Sequence, residues 1–397
     1  MKILHVIPSV SSVHGGPSEA MKLFEQACVI SGINIETATT DDDGPGRRKQ
    51  NLVLGSAIES AGVIRYYFGK TTDTYKISLS MLRWLWRNIK NYDVVHIHAL
   101  FSFSSTAAAW IARYRKVPYI IRPLGTMNKY GLENRRPLSK RLSMWLVENS
   151  ILKNAACVHC TSSNEQAELH QLGAALETTV LPLAASVIPM VDKTLIATKF
   201  PTLENKRWLI FMSRLDPVKN IESLLQAFKV SLVNMPQDVV LLMAGDGDVH
   251  YKQSLLVLAA ELEISERVIW AGHLQGDIKA SALRGAELFL LPSRSENFGI
   301  AAAEAMLIGL PCVLSKGVAI AEAAANEGAV SIIDSDDVVG MAANILQLVN
   351  DDQLRKQISQ NAASFANARY SVEIMGNNLK KLYNDVLAQS GGARATA

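Results

Sequence analysis

A chain of 397 residues is longer than one ordinary domain and points to two or three. Hydrophobic residues at 49% against 19% charged exclude extensive disorder, and a net charge of +3 from 40 basic and 37 acidic side chains lacks the excess of a nucleic-acid binder. Four cysteines are too few for a disulfide scaffold, and no apolar run reaches the ~18–20 residues of a bilayer span, so the sequence reads as a cytoplasmic protein.

In chain order, the predicted elements open with a strand over Ile3–Val10. It follows Met1-Lys2 in the manner of a signal sequence, but it lacks a small-residue cleavage site and runs into a Gly15-Gly16-Pro17 loop. Ser18 is the expected cap of a helix that ends near Ser31. Strands follow at Asn34–Thr39, Val63–Tyr67, Val94–His98, Tyr119–Arg122, Ala156–Cys160 and Thr179–Leu181, with a polar loop over Asp41–Gln50 and helical stretches between most of them. After a weakly periodic stretch, Pro182 to Asn205, the pattern restarts at Trp208–Met212, Val239–Ala244, Val268–Ala271, Leu288–Leu291, Pro311–Leu314 and Val330–Ile333. A last helix is expected over Ser371 to Ala388. Strands alternating with helices imply parallel sheets, and the restart implies two Rossmann-like α/β domains, 1–190 and 205–370, followed by the helix 371–388. Ligands of such sheets sit at the carboxyl ends of the strands, and a cleft between two domains is the expected site.

The sharpest segment runs from Pro292 to Glu304, Pro-Ser-Arg-Ser-Glu-Asn-Phe-Gly-Ile-Ala-Ala-Ala-Glu. An apolar strand ends at Pro292 and an Ala-rich helix starts near Gly299, so the first amides, around Phe298 to Ala301, suit an anionic phosphate. Glu296 precedes the helix and Glu304 lies about two turns into it, a spacing that suits separate sugar and ribose hydroxyls better than a glycosidase pair. The alternative is an Ala-rich packing helix with solvated carboxylates. A second segment, Phe211 to Asn220, places Arg214 and Lys219 in the loop after a strand, where a planar fork and a flexible point charge could stabilise a diphosphate leaving group; two surface cations at a helix start are the other reading. Gly15-Gly16 would let backbone close over a diphosphate or sugar. His96 and His98 share a face by period two, either as one packed and one cleft-lining residue or as a metal pair.

Ser213-Arg214-Leu215 with Lys219, Ala244-Gly245-Asp246-Gly247, Glu296-x7-Glu304 with Phe298-Gly299, and Gly309-x-Pro311 occur in an order that resembles the family-four glycosyltransferases of group 1. That resemblance implies a GT-B fold of two facing Rossmann-like domains, with the last helix crossing back to the first. It implies a retaining transferase that uses a nucleotide sugar, with the acceptor on the N-terminal domain and the donor on the C-terminal one. Arg214 and Lys219 would neutralise the diphosphate, Glu296 and His98 would lie at the transferred sugar, and Asn297 and the amides of Phe298, Gly299 and Ile300 would hold sugar and phosphate. Glu304 would bind the ribose, and the loop Trp270-Ala271-Gly272-His273 would border the base. Gly15, Gly16 and Ser213 complete the implied donor site, with no metal and no cofactor. The acceptor would be a saccharide or lipid-linked molecule in polysaccharide or glycoconjugate biosynthesis, reached by front-face attack. The chain departs from the family pattern in Pro182-Leu183-Ala184-Ala185, Leu124-Gly125, Ser213 and Asn220, where the family usually has Pro-Asn-Gly-Val, His-Gly, Gly and Gly.

Three Asp-x-Asp matches, Asp41–Asp43, Asp246–Asp248 and Asp334–Asp336, read as loop residues, and Cys157 and Cys160 read as core cysteines. Basic amphipathic stretches with Trp, Lys76–Lys90 and Lys129–Lys153 (Arg135, Arg136, Lys140, Arg141), either pack on the first sheet or give the N-terminal domain peripheral contact with the inner face of the plasma membrane. The competing functions are a catalytically inactive sugar-nucleotide-binding subunit, a nucleotide-sugar epimerase or a glycan phosphorylase of the same fold, the last lacking a lysine context for pyridoxal phosphate. No Gly-x-Gly-x-x-Gly opens a first helix as in an NAD oxidoreductase.

Overall fold

Parallel strands covered on both faces demand nearly continuous apolar sequence, and the predicted runs deliver it. The computed structural model describes residues 1–73, 75–126, 143–171 and 176–395. The chain divides into two units, Met1–Ala184 with Val372–Ala397, and Ala185–Ser371.

In the first unit, β1 (Lys2–Ile7), β2 (Asn34–Thr40), β3 (Ala57–Ser60), β4 (Val63–Phe68), β5 (Val94–His98), β6 (Tyr119–Arg122), β7 (Cys157–Cys160) and β8 (Thr178–Val180) form a sheet of order β3-β4-β2-β1-β5-β6-β7-β8. Its strands are parallel except β3, which pairs antiparallel with β4. Sequence reading missed β3 because its four residues, Ala-Ile-Glu-Ser, are mostly exposed and form no apolar run, as an edge strand tolerates. Helix α1 (Gly16–Ile30) begins earlier than expected, with Gly15 as cap and Pro17 in the first turn. Proline's fixed φ suits that turn, and Ser18 is not the cap: its hydroxyl donates to the Ser11 carbonyl at 2.6 Å. Helices α2 (Leu79–Asn88) and α3 (Phe103–Tyr114) pack on the sheet through Met81, Leu85, Ala108 and Ile111. The C-terminal helix Val372–Ala395 packs on α1 within this unit.

In the second unit, β9 (Arg207–Met212), β10 (Val239–Ala244), β11 (Val268–Gly272), β12 (Leu288–Leu291), β13 (Cys312–Ser315) and β14 (Ser331–Ile333) form an all-parallel sheet of order β11-β10-β9-β12-β13-β14. The weakly periodic stretch belongs to this unit from Ala185 onward. Ile188, Ile196 and Leu203 are buried, the Ile196 amide donates to Ser281 Oγ at 2.9 Å, and Arg284 donates to the Ile188 and Pro189 carbonyls. The predicted boundaries at 190 and 205 therefore move to Ala184 and Ala185.

The Asp41–Asp43 segment is not a solvated loop. Asp42 is buried and accepts from Lys70 Nζ at 2.7 Å, Lys76 Nζ at 2.6 Å and His14 Nε2 at 2.6 Å. Burial pushes its carboxyl up, but these donors outweigh burial and hold it at about 2. Asp42→Asn leaves the buried Lys70 ammonium, among the described residues, with only the exposed Asp73 as a charged partner; a loss of about 3 kcal/mol is expected in a denaturant melt.

Candidate functional site

In open parallel sheets, ligands bind where the strand order reverses, at the carboxyl ends. In the second unit that point lies between β9 and β12, and the loops leaving these two strands carry Ser213–Asn220 and Pro292–Gly299.

The first loop is fixed by backbone. Ser213 N donates to Ala244 O at 3.1 Å, Leu215 N to Asp246 O at 3.0 Å and Gly245 N to Gly272 O at 2.8 Å. A Cβ on Gly245 would stand 1.8 Å from the Ser213 carbonyl oxygen, so Ala244-Gly245-Asp246-Gly247 serves a close backbone crossing. Asp216 accepts from the Val218 amide at 3.1 Å and caps the short turn Pro217–Lys219. Asn220 follows in a left-handed conformation with φ 55°, which asparagine tolerates better than most residues. Its side chain donates to the Ser335 carbonyl and accepts from Ser223 Oγ at 2.9 Å, which accounts for Asn where the resembling family carries Gly.

The second loop is pinned as firmly. Arg294 N donates to Val218 O at 2.8 Å, tying the two loops together. Glu296 N donates to Gly317 O at 2.8 Å, and its carbonyl accepts from Ala319 N at 3.0 Å. These bonds bring the Glu296 carboxylate onto Lys219 Nζ, which donates to it; the lysine is buried and the glutamate half-buried. Arg214, on the same loop as Lys219, is exposed.

Gly299, with φ 93°, caps the helix Ile300–Leu307 from the left-handed region, where a side chain would be strained. The helix has no side-chain cap, so its first amides keep the donor capacity that an anion would use. Phe298 is buried edge-on against Tyr370 at 5.2 Å between ring centroids, so its side chain anchors the loop. Glu304 is buried and paired with Lys279 Nζ at 2.7 Å, from the helix Gly276–Gly285. Sequence reading missed Lys279; its only signal was a cation in the helix that follows His273.

Trp270, Ala271 and Gly272 end β11 rather than forming a loop, and His273 follows its carboxyl end. Of the other aspartate motifs, Asp248 caps the helix Val249–Glu261 while Asp334 and Asp336 pair with Lys316 and Arg294. All four cysteines are buried and free.

Gly15, Gly16 and His98 belong to the first unit. Gly15 and Gly16 lie where the chain leaves β1, at that sheet's own reversal point between β1 and β5. His98 does not line a surface. It is fully buried, its Nε2 hydrogen-bonds His5 Nδ1 at 2.9 Å, and its ring stacks on His96 at 4.3 Å. Period two placed His96 and His98 on one face correctly, but α1 and the C-terminal helix cover that face with Phe24 and Tyr383. His5, His96 and His98 offer nitrogens within 4.8 Å of one another, the cluster that the metal-pair reading would need. Tyr383 Oη bonds His96 Nδ1 at 2.9 Å and His5 Nε2 at 3.2 Å, and the buried Arg122 cation lies nearby, so the set reads as a hydrogen-bonded core. The predicted cluster Arg135–Arg141 lies outside the described residues.

Residues 15–184 match the family model for a glycosyl transferase 4-like domain, and 192–365 match that for glycosyl transferases group 1. The chain is 25% identical over 300 residues to N-acetyl-alpha-D-glucosaminyl L-malate synthase of Bacillus anthracis, spanning 75% of this chain and 76% of that protein. It is 25% identical over 206 residues to the capsular polysaccharide biosynthesis glycosyltransferase CapM of Staphylococcus aureus, about half of each chain (51% and 52%). The crystal structure of Anabaena HepE in complex with UDP-glucose superposes with a TM-score of 0.75 at 18% identity, covering 97% of this chain and 100% of that one. Two parallel-sheet Rossmann-like units with this likeness are the GT-B fold, and the chain belongs to the group 1 glycosyltransferases.

Proposed function

We propose that this protein is a retaining glycosyltransferase that moves a sugar from a nucleotide donor to a hydroxyl of a saccharide or lipid-linked acceptor, in polysaccharide or glycoconjugate biosynthesis. The observation that carries this reading is the meeting of Lys219, Glu296 and the Gly299-capped helix at one reversal point. In this reading Arg214 and Lys219 neutralise the departing diphosphate, and the amides from Phe298 to Ile300 hold its oxygens. Glu296 and Asn297 hold the transferred sugar, and Glu304, set by Lys279, takes the ribose. Ser213, Gly272 and His273 border the nucleotide. The leaving oxygen takes the acceptor's proton. The bound UDP-glucose of HepE supports a nucleotide-sugar donor, and the Bacillus anthracis and Staphylococcus aureus relatives support glycoconjugate or polysaccharide acceptors.

The positive charge comes from side chains and helix amides, so transfer runs without a metal ion or other cofactor, and turnover is expected to persist in excess chelator. A protein working on cytoplasmic nucleotide sugars would meet a lipid-linked acceptor at the inner face of the plasma membrane. A thermal-shift series across nucleotide sugars tests the reading, because a ligand at 100 times its Kd stabilises by about 2.7 kcal/mol. One or a few donors should raise the melting temperature, and the same donors should be consumed. Stabilisation without hydrolysis or transfer would mark an inactive binding subunit; no stabilisation by any donor overturns the reading.

A further inference from the structure

The first unit carries an outward face that its core does not use. On α2, Met81 and Leu85 face the core while Leu79, Arg83 and Trp86 follow one another at i, i+4 and i+7 on the opposite side, with Lys90 in the next turn. On α3, Ala108, Ile111 and Ala112 are buried while Trp110, Arg113 and Tyr114 form the outer stripe. The two stripes adjoin: the Trp86 and Tyr114 rings stack at 5.1 Å, and the Arg115 guanidinium lies 4.2 Å from the Trp86 centroid. Leu79 is 63% exposed, Trp86 46%, Trp110 72% and Tyr114 67%. Aromatic residues are ordinarily kept from water, so this much exposure in one place marks a surface for a partner.

Its charge selects the kind of partner. Arg83, Arg87, Lys90, Arg113 and Arg115 stand on or beside these stripes, and Asp93 is the only acidic residue from Lys76 to Arg122. Asp93 lies by the first strand, where it accepts from the Lys2 amide at 2.7 Å. A protein partner of ordinary composition would meet five cations with few local carboxylates to balance them. Trp and Tyr beside Arg and Lys match the headgroup layer of a bilayer, where amphipathic rings settle and anionic lipids attract cations. Among the described residues no helix is long and apolar enough to cross a membrane, so contact would be at the surface.

We propose that the face made by Leu79, Trp86, Trp110 and Tyr114, with Arg83 and Arg113, docks the protein on an anionic lipid bilayer. The predicted stretch Lys76–Lys90 supplied α2; the fold adds α3, whose Trp110 and Tyr114 carried no signal in sequence. The surface stands independently of sugar transfer, since the Lys219–Glu296 pair belongs to the second unit.

Sedimentation of the full chain with vesicles tests it, using phosphatidylcholine alone and an equal mixture of phosphatidylcholine and phosphatidylglycerol. The protein should pellet with the anionic vesicles and not the neutral ones, salt should weaken binding, and tryptophan emission should shift to the blue. Arg83→Gln with Arg113→Gln should weaken partitioning by about 30-fold. Trp86→Ser with Trp110→Ser and Tyr114→Ser should abolish it. Melting curves and nucleotide-sugar stabilisation should stay as in the parent chain. No binding to anionic vesicles, equal binding to both kinds, or variants that bind like the parent would each overturn the proposal. A concentration-dependent dimer that the aromatic variant dissolves, without vesicle binding, would assign the face to a second copy and also overturn it. A chain that binds vesicles but is stabilised by no nucleotide sugar would fail the transfer reading alone.

Discussion

Lys219→Gln is expected to lower kcat/KM by about 10²–10³-fold while leaving the melting temperature of the second unit nearly unchanged. The turn that carries Lys219 does not depend on its side chain. Asp216 caps it, Val218 is buried, and Asn220 is bonded to Ser335 and Ser223. Removing the ammonium frees the Glu296 carboxylate, but that carboxylate is half-buried and can rehydrate, so the structural cost is small. The chemical cost is large if the ammonium stabilises charge growing on a leaving diphosphate, because a fixed donor there acts mainly in the transition state. Lys219→Arg should not restore activity, since a planar fork cannot occupy the point position that Glu296 defines. Glu296→Gln keeps the shape and loses the charge, and a comparable fall in kcat is expected. Steady-state kinetics on the donor that gives the largest thermal shift provide the measurement. Turnover within a few-fold of the parent in both variants would remove the pair from the reaction.

Most of the sheet was legible because buried parallel strands write themselves as apolar runs. Val94–His98, Tyr119–Arg122, Val239–Ala244 and Leu288–Leu291 have the bounds read from sequence. The exposed edge strand Ala57–Ser60 has no such run. Glu296 and Lys219 were legible as candidates because each sits just past a strand, but their contact spans 77 positions and needs the reversal of strand order to bring them together. Glu304 was visible and its partner Lys279 was not, because the two lie on separate helices and no local period relates them. His98 shows the same limit from the other side. Alternation fixed the face it occupies, while Tyr383, 287 positions after His96, decides that the face is sealed.

That sealed face leads to the second large effect: the first unit is expected to lose stability steeply as pH falls from about 6.5 to 4.5. His5, His96, His98 and His159 are fully buried. Burial is the main cause that holds His5 and His159 down to about 3, and His96 and His98 well below their ordinary value, with Arg122 adding to it in each. Above the unfolded value of 6.5, folded and unfolded histidines are both neutral and add no pH dependence of their own. Below it the unfolded chain binds protons that the folded core refuses, at about 1.4 kcal/mol per pH unit for each histidine. Glu148 works the other way. Burial raises its carboxyl to about 7, so the folded form takes its proton first and offsets one of the four between about 7 and 4.5. The histidines outnumber this offset, so the net change is a loss of at most about 4 kcal/mol per pH unit, set against the 5–15 kcal/mol of a typical domain. Asp42, held at about 2, contributes loss only below about pH 4, so the window above it belongs to the histidines. Thermal melts followed by near-ultraviolet circular dichroism between about pH 7 and pH 5 should show one transition falling ahead of the other. Substituting His159 by Gln should flatten that fall by one proton's worth. A first-unit melting temperature constant across this range would refute the neutral-core account and reopen His5, His96 and His98 to another role.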